Sequence, residues 1–411
     1  MDIVSAKRAN HSLENKALYV VTCRRDGNDV RARAAVVLGN TFGRCDFVYP
    51  TRQISTDNPW AIRPWRNPLK IFEILGLVSL SQILGRWLFF PSPDILFIHT
   101  VKRRLLCSIH RDLHEGLQVS VLLTAPPHAS VTLVKQIKQL APSVRVIVDW
   151  QDLWSYDESY FLRVPKPYRK RLLSMEQGAL EQADLNITTN ERARELLVRR
   201  HQLAPQKVVA IGHHFSPSQV VCLKTGVTAT GICRVGFLGN LFKPPKVRGD
   251  KIFTLFDRLA EHSAVSLELI GDTTGKAWLE SEKMTHRCVR LHDRIPLDKA
   301  IAKLATMDLL LLTLEDLANS KIIMHGKLPA YLAAGVPIVA LVPDDSFVAD
   351  LVRETGAGFV LSDPDRWEKE LSIVVNKVLA GTLKYDRKIA KIDLFGWHKL
   401  SDRWLEALVA D

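Results

Sequence analysis

The segment GKLPAYLAAGVPIVA, residues 326–340, predicts a loop, a short helix and a strand in succession. Its leucines and its tyrosine recur at the spacing of one helical face, and the alanines beside them allow close packing. Gly335 followed by Pro337 is typical of the end of a helix. The apolar residues 338–342 then have the length of a buried strand. The segment therefore predicts one αβ unit of a layered α/β protein.

Lys327 lies directly before the predicted helix. A lysine ammonium there and the free backbone N–H groups of the first helical turn would point to the same place, which favours a bound phosphate. The alternative is an ordinary αβ unit with a surface lysine. The pattern alone leaves both interpretations open.

Strands and helices alternate along most of the chain, which predicts parallel, doubly wound sheets. A length of 411 residues is enough for two domains of this kind. Residues 216–232 are polar and poor in strand signals, and we expect a linker there between domains at residues 1–215 and 233–390. The predicted strands include residues 18–22, 93–98, 119–124, 144–148 and 265–270.

The composition restricts the compartment and the partners. Six scattered cysteines without a CxxC spacing argue against a zinc ribbon or a disulfide framework and indicate a reducing compartment. The N-terminal residues are polar and do not resemble a signal peptide. The formal net charge of +12 favours phosphate-bearing partners, but no nucleic-acid-binding motif accompanies it, so we expect no nucleic acid.

Residues 60–98 have the most unusual local composition, with a flank rich in tryptophan and arginine before the apolar residues 71–90. Twenty residues are long enough to span a bilayer. However, Glu73 and Arg86 lie inside the run, and placing such a charge in hydrocarbon costs roughly 2–3 kcal/mol. We therefore expect a helix at the surface of an anionic membrane. The alternative is a helix buried in the domain or in a dimer contact.

The segment at residues 327–337 resembles the C-terminal signature of nucleotide-sugar glycosyltransferases of the family four type, also called group 1 glycosyltransferases. Those proteins carry a run similar to K-L-x-E-Y-L-A-x-G-x-P before a strand. The matching residues here are Lys327, Leu328, Tyr331, Leu332, Ala333, Gly335 and Pro337. Ala330 and Ile322 stand where the family has two acidic residues, one of which holds the ribose of the donor.

Two loops in the N-terminal half carry a second part of the resemblance. TAPPHAS is similar to the family's T-x-P-P-x-S, and DWQDLW is similar to D-x-R-D-x-W, with Gln151 in place of the arginine. The resemblance implies that Asp152 and Asp149 contact the acceptor or catalyse transfer, and that His128 assists from the neighbouring loop. The alternative is that both aspartates cap the following segment and that His128 is a solvated loop histidine.

The resemblance also implies donor contacts in the C-terminal half. Gly239 and Lys243 would hold the donor diphosphate, because close backbone approach requires glycine and a lysine complements phosphate. The backbone near Arg294 and Ile295 would face the nucleobase. Glu315 lies close to the ribose position and would replace the missing glutamate.

The first loop of the chain, between the strand at residues 18–22 and the next helix, usually faces the cleft in this family. Gly27 and Arg31 are therefore predicted to contact the acceptor. The alternative is a plain turn between a strand and a helix. Residues 391–411 resemble the terminal helix that crosses back to the N-terminal domain.

The resemblance implies a GT-B fold, with two Rossmann-like domains facing an interdomain cleft. It implies a transferase that moves a sugar, with retention, from a nucleotide sugar to a lipid-linked or polysaccharide acceptor. We expect neither a metal nor a cofactor, and a location at the cytoplasmic face of a membrane. A non-catalytic relative, suggested by Ala330 and Ile322, is one alternative. A sugar-nucleotide epimerase is another, although a soluble substrate does not explain residues 60–98.

Overall fold

The computed structural model divides the chain into two compact units. Unit 1 comprises Met1–Ile211 and Ser401–Asp411, and unit 2 comprises Gly212–Leu400. The structure describes residues 13–24, 30–51, 58–63, 69, 71, 84–85, 88–156, 161, 164–215, 231–241, 249–271 and 288–409. The predicted linker at residues 216–232 lies almost wholly outside these residues, and the predicted domain boundaries stay a prediction.

Unit 1 contains a seven-stranded sheet with the order β3-β2-β1-β4-β5-β6-β7. Its strands are β1 (Lys16–Val21), β2 (Arg44–Pro50), β3 (Ala61–Ile62), β4 (Gln118–Ala125), β5 (Arg145–Trp150), β6 (Leu185–Thr188) and β7 (Val208–Ala210). All neighbouring strands in it are parallel. The central strands are buried along almost their whole length, as continuous apolar strands of a doubly covered sheet are.

The described helices of unit 1 connect these parallel strands. They are α1 (Val30–Gly39), α2 (Ile95–His114), α3 (Thr132–Leu140), α4 (Lys166–Gln182) and α5 (Glu191–His201). Short 3-10 helices occupy His128–Val131, Trp154–Tyr156 and Pro205–Lys207. Asn190 caps α5, because its side chain accepts a hydrogen bond from the backbone N–H of Ala193.

The prediction of a strand at residues 93–98 is wrong, because these residues open the long helix α2. Phe97, Val101, Leu105 and Ile109 recur every four residues and are all buried. The short apolar run before them is compatible with either structure, and the longer helical period decides between them.

Unit 2 contains a six-stranded parallel sheet with the order β10-β9-β8-β11-β12-β13. Its strands are β8 (Cys233–Leu238), β9 (Val265–Ile270), β10 (Val289–His292), β11 (Leu309–Thr313), β12 (Ile338–Leu341) and β13 (Gly358–Leu361). The sheet extends in both directions from β8, so the chain order reverses there. In such sheets ligands bind beyond the carboxyl ends of the strands.

Two apolar cores lie on the two faces of this sheet. The described helices of unit 2 are α6 (Gly249–His262), α7 (Leu297–Leu304), α8 (Leu328–Ala334), α9 (Phe347–Thr355), α10 (Trp367–Leu379) and α11 (Ile389–Asp393). Gly335 ends α8 in a left-handed conformation, with φ at 76°, and its N–H donates to the carbonyl of Tyr331. The predicted end of this helix is thereby confirmed.

The last helix, α12 (Trp397–Val409), begins in unit 2, and its residues from Ser401 onward belong to unit 1. Its Trp404 is completely buried. Among the residues that the structure describes, no helix is long and apolar enough to cross a membrane. Residues 64–68, 70, 72–83 and 86–87 of the predicted membrane-surface segment lie outside them. Its contact with a membrane stays a prediction.

Candidate functional site

Two loops of unit 1 leave the carboxyl ends of neighbouring strands. Strands β4 and β5 pair in parallel, with Thr124 opposite Asp149 and Ala125 opposite Trp150. The N–H of Gln151 donates to the carbonyl of Ala125 at 2.7 Å. The predicted TAPPHAS and DWQDLW loops therefore begin side by side, at the edge of the sheet where ligands bind in this type of fold.

His128 lies in a buried contact between these two loops. Its imidazole is 4% exposed and stacks on Trp154, with ring centroids 4.5 Å apart and an interplanar angle of 28°. Its Nε2 lies 3.0 Å from the backbone carbonyl oxygen of Asp152. Because a carbonyl only accepts, Nε2 carries a proton and the lone pair of the neutral ring lies on Nδ1. The alternative of a solvated loop histidine is wrong.

Asp149 and Arg31, which were predicted for different roles, form one buried ion pair. Arg31 Nε donates to Asp149 Oδ2 at 2.8 Å, and Nη2 donates to Oδ1 at 2.6 Å. Arg31 is 1% exposed and Asp149 is 0% exposed. The guanidinium also donates to the carbonyl of Ile211 at 2.6 Å and lies 4.9 Å from the ring centroid of Trp404.

This pair joins α1, the end of β5, the segment after β7 and the last helix. Both charges are compensated inside unit 1, which is the condition for keeping them buried. The arrangement gives Arg31 and Asp149 a structural role at the base of the two loops. Their predicted contacts with an acceptor stay predictions, and Gly27 lies outside the described residues.

Arg24 also lies at this edge and is not among the residues predicted for the site. Its Nε donates to the carbonyl of Pro126 at 3.2 Å, and its Nη2 donates to Gln151 Oε1 at 3.0 Å. Arg24 therefore ties the loop after β1 to the loops after β4 and β5. Gln151 stands where the family motif has an arginine, so Arg24 brings a guanidinium to that position from another loop. The Arg24-Arg25 pair was the available signal.

In unit 2, the loops after β8, β9 and β10 are joined by backbone hydrogen bonds. Gly239 has a φ of 82° and donates to the carbonyl of Ile270 at 2.8 Å. Gly271 donates to the carbonyl of His292 at 2.9 Å, and a Cβ placed on Gly271 would lie 3.5 Å from the Cα of Arg294. The structure thus places Gly239 and Arg294 on either side of the loop after β9.

The space around these residues suits a ligand that approaches the backbone. No described atom lies within 4 Å of a Cβ built on Gly239, so its left-handed conformation, and not crowding, requires glycine there. Arg294 is exposed and Ile295 is half-buried. Lys243 lies outside the described residues, and its predicted role stays a prediction.

Lys327 lies against the end of β8. Its Nζ is 3.4 Å from the ring centroid of Phe237, two residues before Gly239. The helix that it precedes is held to the sheet by Tyr331. The hydroxyl of Tyr331 donates to the carbonyl of Leu311 on β11 and accepts from the N–H of Leu238 on β8, both at 3.0 Å. Lys327 and Gly239 therefore belong to one edge of unit 2.

The first turn of α8 supplies fewer free N–H groups than an ordinary helical N-terminus does. The N–H of Leu328 donates to the carbonyl of His325 at 2.9 Å, and Pro329 has no N–H. The helix is only seven residues long. Any attraction for phosphate at this place therefore comes mainly from the ammonium of Lys327 and from the glycine loop, and less from the helix.

Glu315 follows β11 and lines a cavity of about 910 Å³ in unit 2. The cavity lies at the carboxyl ends of β11, β12 and β13 and against α6 and α10. Its charged lining is mainly acidic and consists of Asp250, Glu315, Asp316, Asp344, Asp345, Asp365 and Glu368, with Lys251 and Arg258. Carboxylates repel a diphosphate, so this cavity does not suit the phosphates of a nucleotide. Of the predicted donor residues on the described part of the chain, only Glu315 lines it.

A metal site is not evident in the part of the chain that the structure describes. There, no group of three or more histidine, cysteine, aspartate or glutamate side chains is placed to hold a metal ion.

No family model matches the chain, and no curated protein sequence matches it. Several solved structures are similar. WaaG, a glycosyltransferase involved in lipopolysaccharide biosynthesis, matches with a TM-score of 0.61 at 12% identity, covering 96% of this chain and 100% of that chain. HepE of Anabaena, in complex with UDP-glucose, matches with a TM-score of 0.60 at 12% identity, covering 96% and 100%. Sucrose-phosphate synthase from Thermosynechococcus elongatus matches with a TM-score of 0.60 at 12% identity, covering 94% and 97%.

These likenesses extend over nearly the whole length of both chains in each comparison. At 12% identity they concern the fold, and they agree with the two parallel, helix-covered sheets described above. The predicted fold class, two Rossmann-like domains of α/β type, is confirmed. This chain has the GT-B fold.

Proposed function

We propose that the protein is a glycosyltransferase that moves a sugar from a nucleotide-sugar donor to a lipid-linked or polysaccharide acceptor. The observation that carries this proposal is the fold shared over the full length with WaaG and HepE, two proteins whose described properties are lipopolysaccharide biosynthesis and a complex with UDP-glucose. The process would be the synthesis of a surface polysaccharide or glycolipid, at the cytoplasmic face of a membrane.

The donor would bind to unit 2, at the edge that contains Gly239, Arg294 and Lys327. Gly239 lets the backbone approach the diphosphate, and the backbone near Arg294 would face the nucleobase. The exposed guanidinium of Arg294 adds positive charge at the same edge. Lys327 adds an ammonium from the next element. Concentrated positive charge stabilises a nucleoside diphosphate as it leaves, so the reaction would need no metal.

The acceptor would bind to unit 1, where the loops after β4 and β5 meet. Asp152 is half-buried, and its carboxylate would hold and polarise an acceptor hydroxyl. His128 would assist through Nδ1, since Nε2 is directed to the carbonyl of Asp152. Transfer with retention is proposed only because the matching motifs belong to retaining enzymes.

One observation favours a second candidate, a non-catalytic relative that binds a nucleotide or a partner. Ala330, at the position of a family acid, is 7% exposed and packs in the apolar core of unit 2. Ile322, at the other position, is half-buried and carries no charge. The donor pocket thus lacks both family carboxylates, and binding without transfer would follow if no other group replaces them.

Isothermal calorimetry with UDP- and GDP-sugars tests the proposal. We expect binding by the wild type and at least tenfold weaker binding by K327A, which corresponds to about 1.4 kcal/mol. K377A, which removes an exposed lysine from α10, is the control and should bind like the wild type. A lipid extract added afterwards tests transfer. Binding without any transfer favours the second candidate, and a folded protein that binds no common sugar nucleotide contradicts the transferase proposal.

A further inference from the structure

Glu176 is a fully buried carboxylate in α4 that is not among the predicted site residues. Its Oε2 accepts a hydrogen bond from the backbone N–H of Ser155 at 3.0 Å. Its Oε1 has no hydrogen-bond partner among the residues that the structure describes. Burying a carboxylate is costly unless it is paired. The burial of Glu176 therefore needs a functional or structural explanation.

The hydrogen bond of Glu176 ends in the loop that follows Asp152. Ser155 is the central residue of the 3-10 turn Trp154–Tyr156. The indole of Trp154, in the same turn, is completely buried against the imidazole of His128. His128 in turn donates to the carbonyl of Asp152. A continuous series of contacts thus connects Glu176 to both residues that we place in the chemistry.

We propose that Glu176 is a positioning residue, whose carboxylate anchors the Trp154–Tyr156 turn and so fixes the mutual arrangement of His128 and Asp152. The catalytic meaning of this inference rests on the proposed transferase function, but the anchoring itself does not. A loop of this kind has few regular backbone hydrogen bonds, and a buried hydrogen bond from the Ser155 N–H to a side-chain oxygen restricts it. Misplacement of reacting groups by about 1 Å is enough to slow a reaction considerably.

Other charged and titratable groups face Glu176 from α5. His201 Nε2 lies 3.8 Å from Glu176 Oε1, and the guanidinium of Arg200 lies 4.6 Å from the ring centroid of Tyr156. Burial raises the pKa of Glu176, although the Ser155 contact and Arg200 oppose this effect. Burial and the neighbouring Arg200 lower the pKa of His201. Glu176 and His201 thus lie buried beside each other behind the turn, on the side of α4 and α5, whereas Arg200 is exposed.

The test compares E176A, which removes the acceptor, with E176Q, which keeps an oxygen for the Ser155 N–H. Glu181 lies on the same helix and is exposed, so E181A and E181Q are matched controls. Each protein is labelled with 5-fluorotryptophan, and the fluorine resonance of Trp154 is assigned by W154F. Thermal unfolding establishes that each variant is folded. Calorimetry with the donor and the kinetics of transfer complete the set.

In E176A we expect the Trp154 resonance to shift and broaden, while E176Q and both Glu181 variants resemble the wild type. Turnover by E176A should fall about tenfold or more with donor affinity unchanged, because the donor residues lie in unit 2. An unchanged Trp154 resonance in folded E176A overturns the anchoring. A wild type without transfer activity contradicts the proposed function, and the resonance results still decide the role of Glu176.

If E176A does not fold, E176D replaces it in the test of the anchoring. Its shorter side chain draws the carboxylate away from the Ser155 N–H. Amide exchange of Ser155 that is faster in E176D than in the wild type supports the anchoring. Exchange at the wild-type rate in E176D overturns it, since the Ser155 N–H would then be protected without the carboxylate.

Discussion

The guanidinium of Arg31 and the carboxylate of Asp149 form a bidentate ion pair that is almost completely buried in unit 1. These side chains come from α1 and from the end of β5, directly before the loop of Asp152. Such a pair stabilises little compared with apolar residues of the same volume, but removing one partner leaves a buried charge uncompensated. The pair therefore fixes where the loop begins, and its loss should be visible in stability first.

We expect D149A to lower the free energy of unfolding by about 3–5 kcal/mol. The double variant R31M/D149L should lose much less, because no buried charge is left. Urea denaturation and the amide exchange of β5 measure the stability of both variants. If D149A instead keeps the stability of the wild type and loses only transfer, then Asp149 takes part in the chemistry and the structural interpretation is wrong.

Gly239 offers a prediction with a closely matched control. An alanine at a positive φ costs roughly 1–2 kcal/mol. Gly116 has a φ of 81°, against 82° for Gly239, and no described atom lies within 4 Å of a Cβ at either position. G239A and G116A should therefore lose similar stability in thermal unfolding.

The two glycine variants should differ in donor binding. If the loop after β8 holds the diphosphate, calorimetry shows weaker donor binding for G239A and unchanged binding for G116A. Equal binding by both variants would remove Gly239 from the donor site, even if the stabilities behave as expected.

The pH dependence of the stability of unit 2 should reflect Glu268, which lies on β9 and is 2% exposed. Burial alone would raise its pKa, but hydrogen bonds from His292 and Ser266 outweigh burial, and together with Arg234 they lower the pKa below 4.5. Because the folded-state pKa is depressed, the stabilisation is present above the unfolded-state value near 4.5 and is lost as the pH falls through the folded-state value.

We therefore expect E268Q to be less stable than the wild type at pH 7, by about 1–3 kcal/mol. The difference should shrink as the pH falls from 4.5 through the lower folded-state pKa, where the carboxylate of the folded wild type becomes protonated. Urea denaturation at a series of pH values measures it, with E261Q on α6 as an exposed control. A difference that stays constant with pH would show that Glu268 acts through packing and not through its charge.

The sequence predicted most of the fold, because strands buried on both faces read as continuous apolar runs. Residues 265–270 were predicted as they occur in β9, and Gly335 marked the end of α8. The strand predicted at residues 93–98 failed because a short apolar run fits a helix as well.

The site was predicted less completely, because its contacts join residues that are distant in sequence. Arg31 and Asp149 are separated by 118 positions, and no local pattern indicates that they pair. Arg24 and Glu176 carry no motif either, and their roles follow only from the partners that the tertiary structure gives them.

His128 gives the most direct prediction about chemistry. Phenylalanine at this position keeps an aromatic ring against Trp154 but removes both ring nitrogens, so H128F should retain most of the stability. If His128 transfers a proton, turnover falls by roughly 10²–10⁴-fold, with donor affinity unchanged. H128Q keeps an N–H donor close to the place of Nε2 for the carbonyl of Asp152 and should be equally slow, since an amide is not a base. Should H128Q retain the turnover of the wild type while H128F loses it, then His128 acts by holding Asp152 in place, and the base must be another group.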